Sequence, residues 1–164
     1  RLPNRNMALD LGGVVKEYAA DTIIEDCLSR GIRSGLVNLG GDIRCVGEHP
    51  EGGAWPISVK HPFETGALAK LLLDHKAIAS SGGYERFIDI EGKRFTHIID
   101  PRTGWPVEGL AAVSVVADQA IVAGSLATIG MLLGDEGLDF LNESGADWIA
   151  VDQAGQIHGA IISN

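Results

Sequence analysis

LAAVSVVADQAIVAGSLATIGMLLG, residues 110–134, decides the fold. Its first part, Leu110 to Ala117, is apolar except for one serine and rich in valine, the composition of a strand buried on both faces. Asp118 is suited to cap a helix, and 119–134 is the helix it would cap. Gly124 and Gly130 lie inside that helix, each costing about 1 kcal/mol of helix propensity relative to alanine. Glycine kept there implies close approach by another backbone or by a ligand. With the elements on either side of this strand and small-residue helix, one α+β domain is the economical reading.

Upstream, RFIDIEGKRFTHIID (86–100) alternates on both sides of Glu91-Gly92, which predicts a hairpin whose second strand delivers His97 and Asp100 to its end. Before it, 66–83 holds two apolar runs around a polar turn. Helix and strand both fit that pattern, and strands are taken. WPISVK (55–60) reads as a strand, and SGLVNLGGDIRCVG (34–47) as strand, Gly-Gly turn, strand. In KEYAADTIIEDCLSR (16–30), Ala20, Ile23, Ile24, Cys27 and Leu28 follow the spacing of an amphipathic helix that Gly31 stops. Downstream come a short helix near EGLDFLN (136–142) and strands DWIAVD (147–152) and QIHGAIIS (156–163). No linker or repeat interrupts the chain, so residues 1–164 are read as one domain.

Composition bounds what such a domain does. At 164 residues and 45% hydrophobic it has enough apolar side chain for one packed core. A formal net charge of -9 argues against nucleic acid or an anionic membrane surface as partner. Cys27 and Cys45 lack metal-type spacing and read as small buried hydrophobes. No apolar stretch reaches the roughly eighteen residues of a membrane span, and the start lacks a signal pattern. Because the first glycine motif comes so soon after Arg1, residues before it are expected to be missing.

Three glycine loops carry the candidate chemistry. DLGGVVK (10–16) puts Gly12 and Gly13 at a junction into a helix, with Lys16 in its first turn. Free N–H groups, a partial positive charge and an ammonium suit a phosphate there, although a plain Gly-Gly turn with a solvated lysine fits the same residues. NLGGD (38–42) flanks Gly40 and Gly41 with Asn38 and Asp42, side chains able to bond a sugar or base and equally usual in a hairpin turn. ASSGGYER (79–86) adds Ser81 and Gly82. In HIIDPRTG (97–104), Asp100, Pro101 and Gly104 make a type I turn without any function. His97 and Thr103 are not needed for that turn. Imidazole and the Asp100 carboxylate could share one pocket, the first moving a proton and the second orienting it, or His97 could be a hydrogen-bonded structural residue. His49, His61, His75 and His158 are read as structural.

Taken in order, DLGGVVKEYAAD, LVNLGGDIRCVG, AIASSGGYERF and HIIDPRTGWPV resemble the ApbE family of flavin transferases. The resemblance runs from Asp10 to about Gly134. It implies an ApbE-like, T-fold-like α+β domain with a mixed or antiparallel sheet packed with helices, lacking the N-terminal part of the family domain. It also implies FAD as substrate and magnesium at the pyrophosphate. The implied reaction transfers FMN to a threonine or serine of an acceptor flavoprotein of a redox complex, releasing AMP, with FAD pyrophosphatase as a side activity. By the same resemblance His97, Lys16 and Asp100 are catalytic. Gly12, Gly13, Lys16, Asn38, Gly40, Gly41, Ser81, Gly82, His97 and Thr103 bind flavin nucleotide, and Gly13 and Thr128 hold the metal. The implied location is the bacterial periplasm or cell envelope, with the cytoplasm as the alternative.

Two positions depart from the family pattern. The family helix reads Ala-Asp-x-x-Ala-Thr, with the aspartate one turn before the metal-binding threonine; AGSLAT (123–128) has Gly124 instead. Glu17 stands where glycine usually follows the lysine. These departures imply reduced or lost transfer. They leave two alternatives: a non-catalytic flavin-binding or scaffold module, or one piece of a larger or split assembly.

Overall fold

The computed structural model describes residues 3–84 and 87–161. Helix α1 (Val15–Ser29) precedes strands β1 (Gly35–Leu39), β2 (Asp42–Val46), β3 (Trp55–Lys60), β4 (Ala67–Leu73), β5 (Ala77–Gly82), β6 (Phe87–Ile90), β7 (Lys93–Thr96) and β8 (Leu110–Ala117). Helices α2 (Ala120–Leu133) and α3 (Gly137–Glu143) follow, then β9 (Asp147–Asp152) and β10 (Ile157–Ala160). The expected α+β class is the one found. Glu85 and Arg86 of the third loop, and Ile162 and Ser163 of the last expected strand, lie outside the described residues.

Six strands form one sheet in the order β1-β2-β5-β8-β9-β10, antiparallel at every pairing. β3–β4 and β6–β7 are separate hairpins. Strand β8 lies inside the sheet, and period-two alternation sends its residues into different layers. Val113 and Val115 pack with Ala123, Ala127 and Met131 of α2, whereas Val116 joins Ile57, Val59, Leu71 and Leu73 of the β3–β4 hairpin. Helices thus cover one face of the central strands and the hairpin covers the other. This double cover is why 110–117 reads as a near-continuous apolar run.

The same alternation orders β2. Ile43 and Cys45 face the hairpin, while Asp42 and Arg44 face α1, where they meet Lys16 and Asp21. Between β1 and β2, Gly40 and Gly41 have φ of 66° and 101°, the pair of positive values that a two-residue turn of type I′ requires.

Several expectations change. Asp118 does not cap α2; its carboxylate pairs with Lys76. Asp21 of α1 caps instead, accepting hydrogen bonds from the N–H groups of Ala120 (2.8 Å) and Ile121 (3.0 Å). Ile23 is exposed and Cys27 only partly buried, because the buried stripe of α1 is Glu17, Ala20, Asp21 and Ile24. Cys45 is fully buried, and burial pushes its thiol pKa up. The run Ala120–Glu143 is long and apolar enough for a membrane span by length and composition only, and it is divided into α2, a 3-10 turn at Gly134–Glu136 and α3. Here Ala120, Ala123, Ala127 and Met131 bury its face within the domain, as in the core helix of a globular protein.

Candidate functional site

The glycine bends converge on one cleft of about 640 Å³. Asp10 closes the first bend by accepting the Gly12 N–H at 2.8 Å, and the chain then enters α1 with no side chain capping its N-terminus. Gly12, Gly13 and Lys16 line the cleft from this side, and Gly40 lines it from the β1–β2 turn. Ser81 and Gly82 enter from the end of β5. His97, one residue beyond β7, and Thr128, on α2, complete the wall, and Ser81 and Thr128 hydroxyls bond at 3.0 Å. Residues from five separate stretches of sequence therefore meet. Tyr84 lines this cleft and also a second one of about 600 Å³, where Phe63 and Phe95 contribute aromatic wall.

Other expected residues serve their own turns. Asn38 accepts the Gly41 N–H at 2.9 Å, which closes the β1–β2 bend, and neither residue lines the cleft. Asp100 does not share the pocket with His97. It accepts the Arg102 N–H at 2.8 Å and Arg102 Nε at 3.1 Å, and these bonds hold its carboxyl below the usual aspartate range. Thr103 accepts the Trp105 N–H at 3.2 Å. A short polar side chain in a turn bonds the nearest backbone donor, so the 100–105 segment braces the loop that presents His97. His49 and His61 accept backbone N–H groups in local turns, and His158 pairs with Asp152 at 2.9 Å, all structural roles.

Three acidic residues where α1 meets β2 and α2, of which Glu17 lines the cleft, were not expected to work together. Asp42 is 2% exposed and binds Lys16 Nζ at 2.5 Å while accepting the Ser80 N–H at 3.3 Å. Asp21 takes the first N–H groups of α2 and an ion pair with Arg44 at 3.4 Å. Glu17 is 5% exposed, and its Oε2 is the one buried side-chain oxygen or nitrogen without a hydrogen-bond partner among the described residues. Burial pushes the Glu17 carboxyl above its ordinary value of 4.5; its own backbone opposes this, the nearby Asp42 carboxylate adds to it, and Lys16 opposes it. Only the alternation of β2 and the contact of α1 with α2 bring these groups together, and neither is visible in a local pattern.

Oxygen donors of this kind suit a hard divalent cation. No three-residue His/Cys/Asp/Glu cluster that could hold a metal lies among the described residues; magnesium keeps waters and needs only one or two carboxylates beside its phosphates. A carboxylate oxygen with no partner and a threonine hydroxyl facing the same cleft are compatible donors.

Fold and cleft together define an α+β domain in which a glycine bend, an uncapped helix N-terminus and a lysine, chemistry suited to an anion, sit beside the Glu17 and Thr128 oxygens. Comparison with known proteins names the class. The sequence model of the ApbE family matches residues 1–150, and the chain belongs to that family. It is 37% identical over 137 residues to the FAD:protein FMN transferase of Rhodobacter capsulatus, covering 83% of this chain and 26% of that one. With the Haemophilus influenzae FAD:protein FMN transferase it shares 34% over 132 residues, covering 78% of this chain and 38% of that one. The crystal structure of the ApbE protein from Thermotoga maritima superposes with a TM-score of 0.86 at 34% identity, covering 93% of this chain and 51% of that one. The flavin transferase ApbE of Vibrio cholerae superposes at 0.79 and 26% identity, covering 93% and 50%. The chain thus spans about half of these solved chains and a smaller share of the curated relatives.

Proposed function

We propose that the chain binds FAD in the 640 Å³ cleft and takes part in transfer of FMN to a threonine or serine of an acceptor protein, releasing AMP. The observation that supports this best is the meeting of the Gly12–Gly13 bend, Lys16, His97 and Thr128 around one cavity. The diphosphate lies at the α1 N-terminus, where N–H groups and Lys16 supply positive charge. Lys16 is half exposed and already held by Asp42, so its ammonium is aimed before any ligand arrives. Asn38, Gly40, Gly41 and Asp100 act by holding the bends in shape, and Thr103 does the same for the loop carrying His97.

In the transfer, the acceptor hydroxyl oxygen attacks the phosphorus nearer the riboflavin. The bond from that phosphorus to the bridging oxygen breaks, AMP leaves with the electron pair, and the hydroxyl proton passes to His97. Lys16 stabilises charge on the phosphate oxygens; positioning and electrostatics carry such reactions. Oxygen donors including Gly13 and Thr128 would hold magnesium, which would supply neutralisation of the developing phosphate charge. Hydrolysis of FAD to FMN and AMP is the same displacement with water as nucleophile. The family resemblance supports the periplasm or cell envelope as the site of reaction and a flavoprotein of a redox complex as acceptor.

Incubation with FAD, magnesium chloride and an acceptor peptide tests this. AMP release together with a flavin-labelled peptide is expected; neither product at stoichiometric protein would overturn it. The alternative of a flavin-binding module without turnover rests on Gly124, and the position of Glu17 weighs against it.

A further inference from the structure

A glycine inside α2 is explained by what lies against it. A Cβ built on Gly124 would meet Glu17 Cγ at 2.6 Å, Oε1 at 2.8 Å and Cδ at 3.0 Å. No side chain fits at 124 while Glu17 holds its place. The register of the helices sets this contact: Asp21 bonds the first N–H groups of α2, and Glu17, one turn earlier on α1, therefore lies against Gly124, one turn further along α2. Thr128 is one more turn along the same face of α2, and both Glu17 and Thr128 line the cleft.

Neither Lys16 nor Arg44 pairs with Glu17. Lys16 is engaged by Asp42, and Arg44 by Asp21, which leaves the Glu17 carboxylate with a buried, unpartnered oxygen. Buried carboxylates are ordinarily paired or bound to a metal. We propose that Glu17 is the carboxylate ligand of a divalent cation in this cleft, delivered from α1 into the space that Gly124 leaves open and acting beside the Thr128 hydroxyl. The inference rests on the reading of the cleft as a flavin-nucleotide site. Set against the family pattern that the sequence resemblance implies, a carboxylate on α1 and a glycine on α2 would be one exchange and not two separate departures. It also reverses the expectation that Gly124 marks a lost metal site. Gly124→Asp alone then drives its Cβ into Glu17 and does not improve the site.

The test measures Mn2+ binding by isothermal titration and by the electron paramagnetic resonance of free Mn2+, with FAD affinity measured separately without metal from flavin fluorescence. Glu17→Gln keeps the shape, removes the buried charge and is expected to fold as the parent does by circular dichroism. It should lose more than tenfold in Mn2+ affinity while metal-free FAD binding stays within about twofold. Glu17→Gly and Gly124→Asp should each weaken Mn2+ binding, and the double variant Glu17→Gly/Gly124→Asp should recover at least tenfold over Glu17→Gly. Parental Mn2+ affinity in Glu17→Gln overturns the proposal, as does a double variant no better than Glu17→Gly. A parent that binds FAD but no Mn2+ overturns it and leaves the flavin reading standing, whereas a parent that binds neither overturns both.

Discussion

Lys16 and Asp42 show how a residue's neighbours decide its work. The pair joins a half-exposed ammonium to a carboxylate that is 2% exposed, so the lysine is oriented at the cost of some of its charge. Lys16→Met should weaken FAD binding about tenfold, the scale of one charge-assisted phosphate contact, as read by flavin fluorescence titration. Elsewhere, Asp152 accepts from His158 and from the N–H groups of Gln156 and Ala154, and these bonds lower its pKa below 3.8. A carboxyl lowered in the folded state stabilises the fold above its unfolded value and loses that contribution as pH falls through the folded value. Melting temperature should therefore drop as pH falls below about 3.8, and Asp152→Asn should flatten that limb of the profile. Lys16 was legible because a lysine in the first turn after two glycines is a local pattern. Asp42 was not, since its partner lies 26 positions away and its burial depends on which face of β2 it occupies.

Elements were easier to read than the contacts between them. Strand β8 and strand β9 fall where their apolar runs end, because an abrupt change from apolar to polar marks where burial stops. The β6–β7 hairpin formed around Glu91-Gly92, but β7 stops at Thr96, so His97 follows the strand instead of lying on it. The failure at Asp118 is instructive: it has the sequence position of a cap, yet Asp21, 99 positions before Ala120, takes the N–H groups. That bond ties α1 to α2 and sets the register of Glu17 on Gly124. Asp21→Ala should cost about 1–2 kcal/mol, the value of a helix cap, and lower the melting temperature by about 2–8 °C in calorimetry. It should also weaken Mn2+ binding, although Asp21 is outside the cleft.

At the scale of the whole molecule, a sheet covered on its central strands by helices on one side and a hairpin on the other holds loops from distant parts of the chain at one cleft. The core beneath is separable from the site. Leu141 of α3 is fully buried against Gly130, which explains the second glycine of α2 by packing instead of a ligand. Leu141→Ala should destabilise the domain by about 2–5 kcal/mol in denaturant titration and leave FAD affinity unchanged in the remaining folded protein. The order of four glycine- and proline-marked motifs revealed the family before any geometry was known, because turns that must bend sharply keep recognisable residues. What they surround, a carboxylate borrowed from another helix, depends on packing that no short motif encodes. The most direct measurement is an equilibrium titration of the chain with FAD, with and without magnesium. The account predicts saturable binding of one FAD per chain that tightens when magnesium is present; no saturable binding in either condition would contradict it.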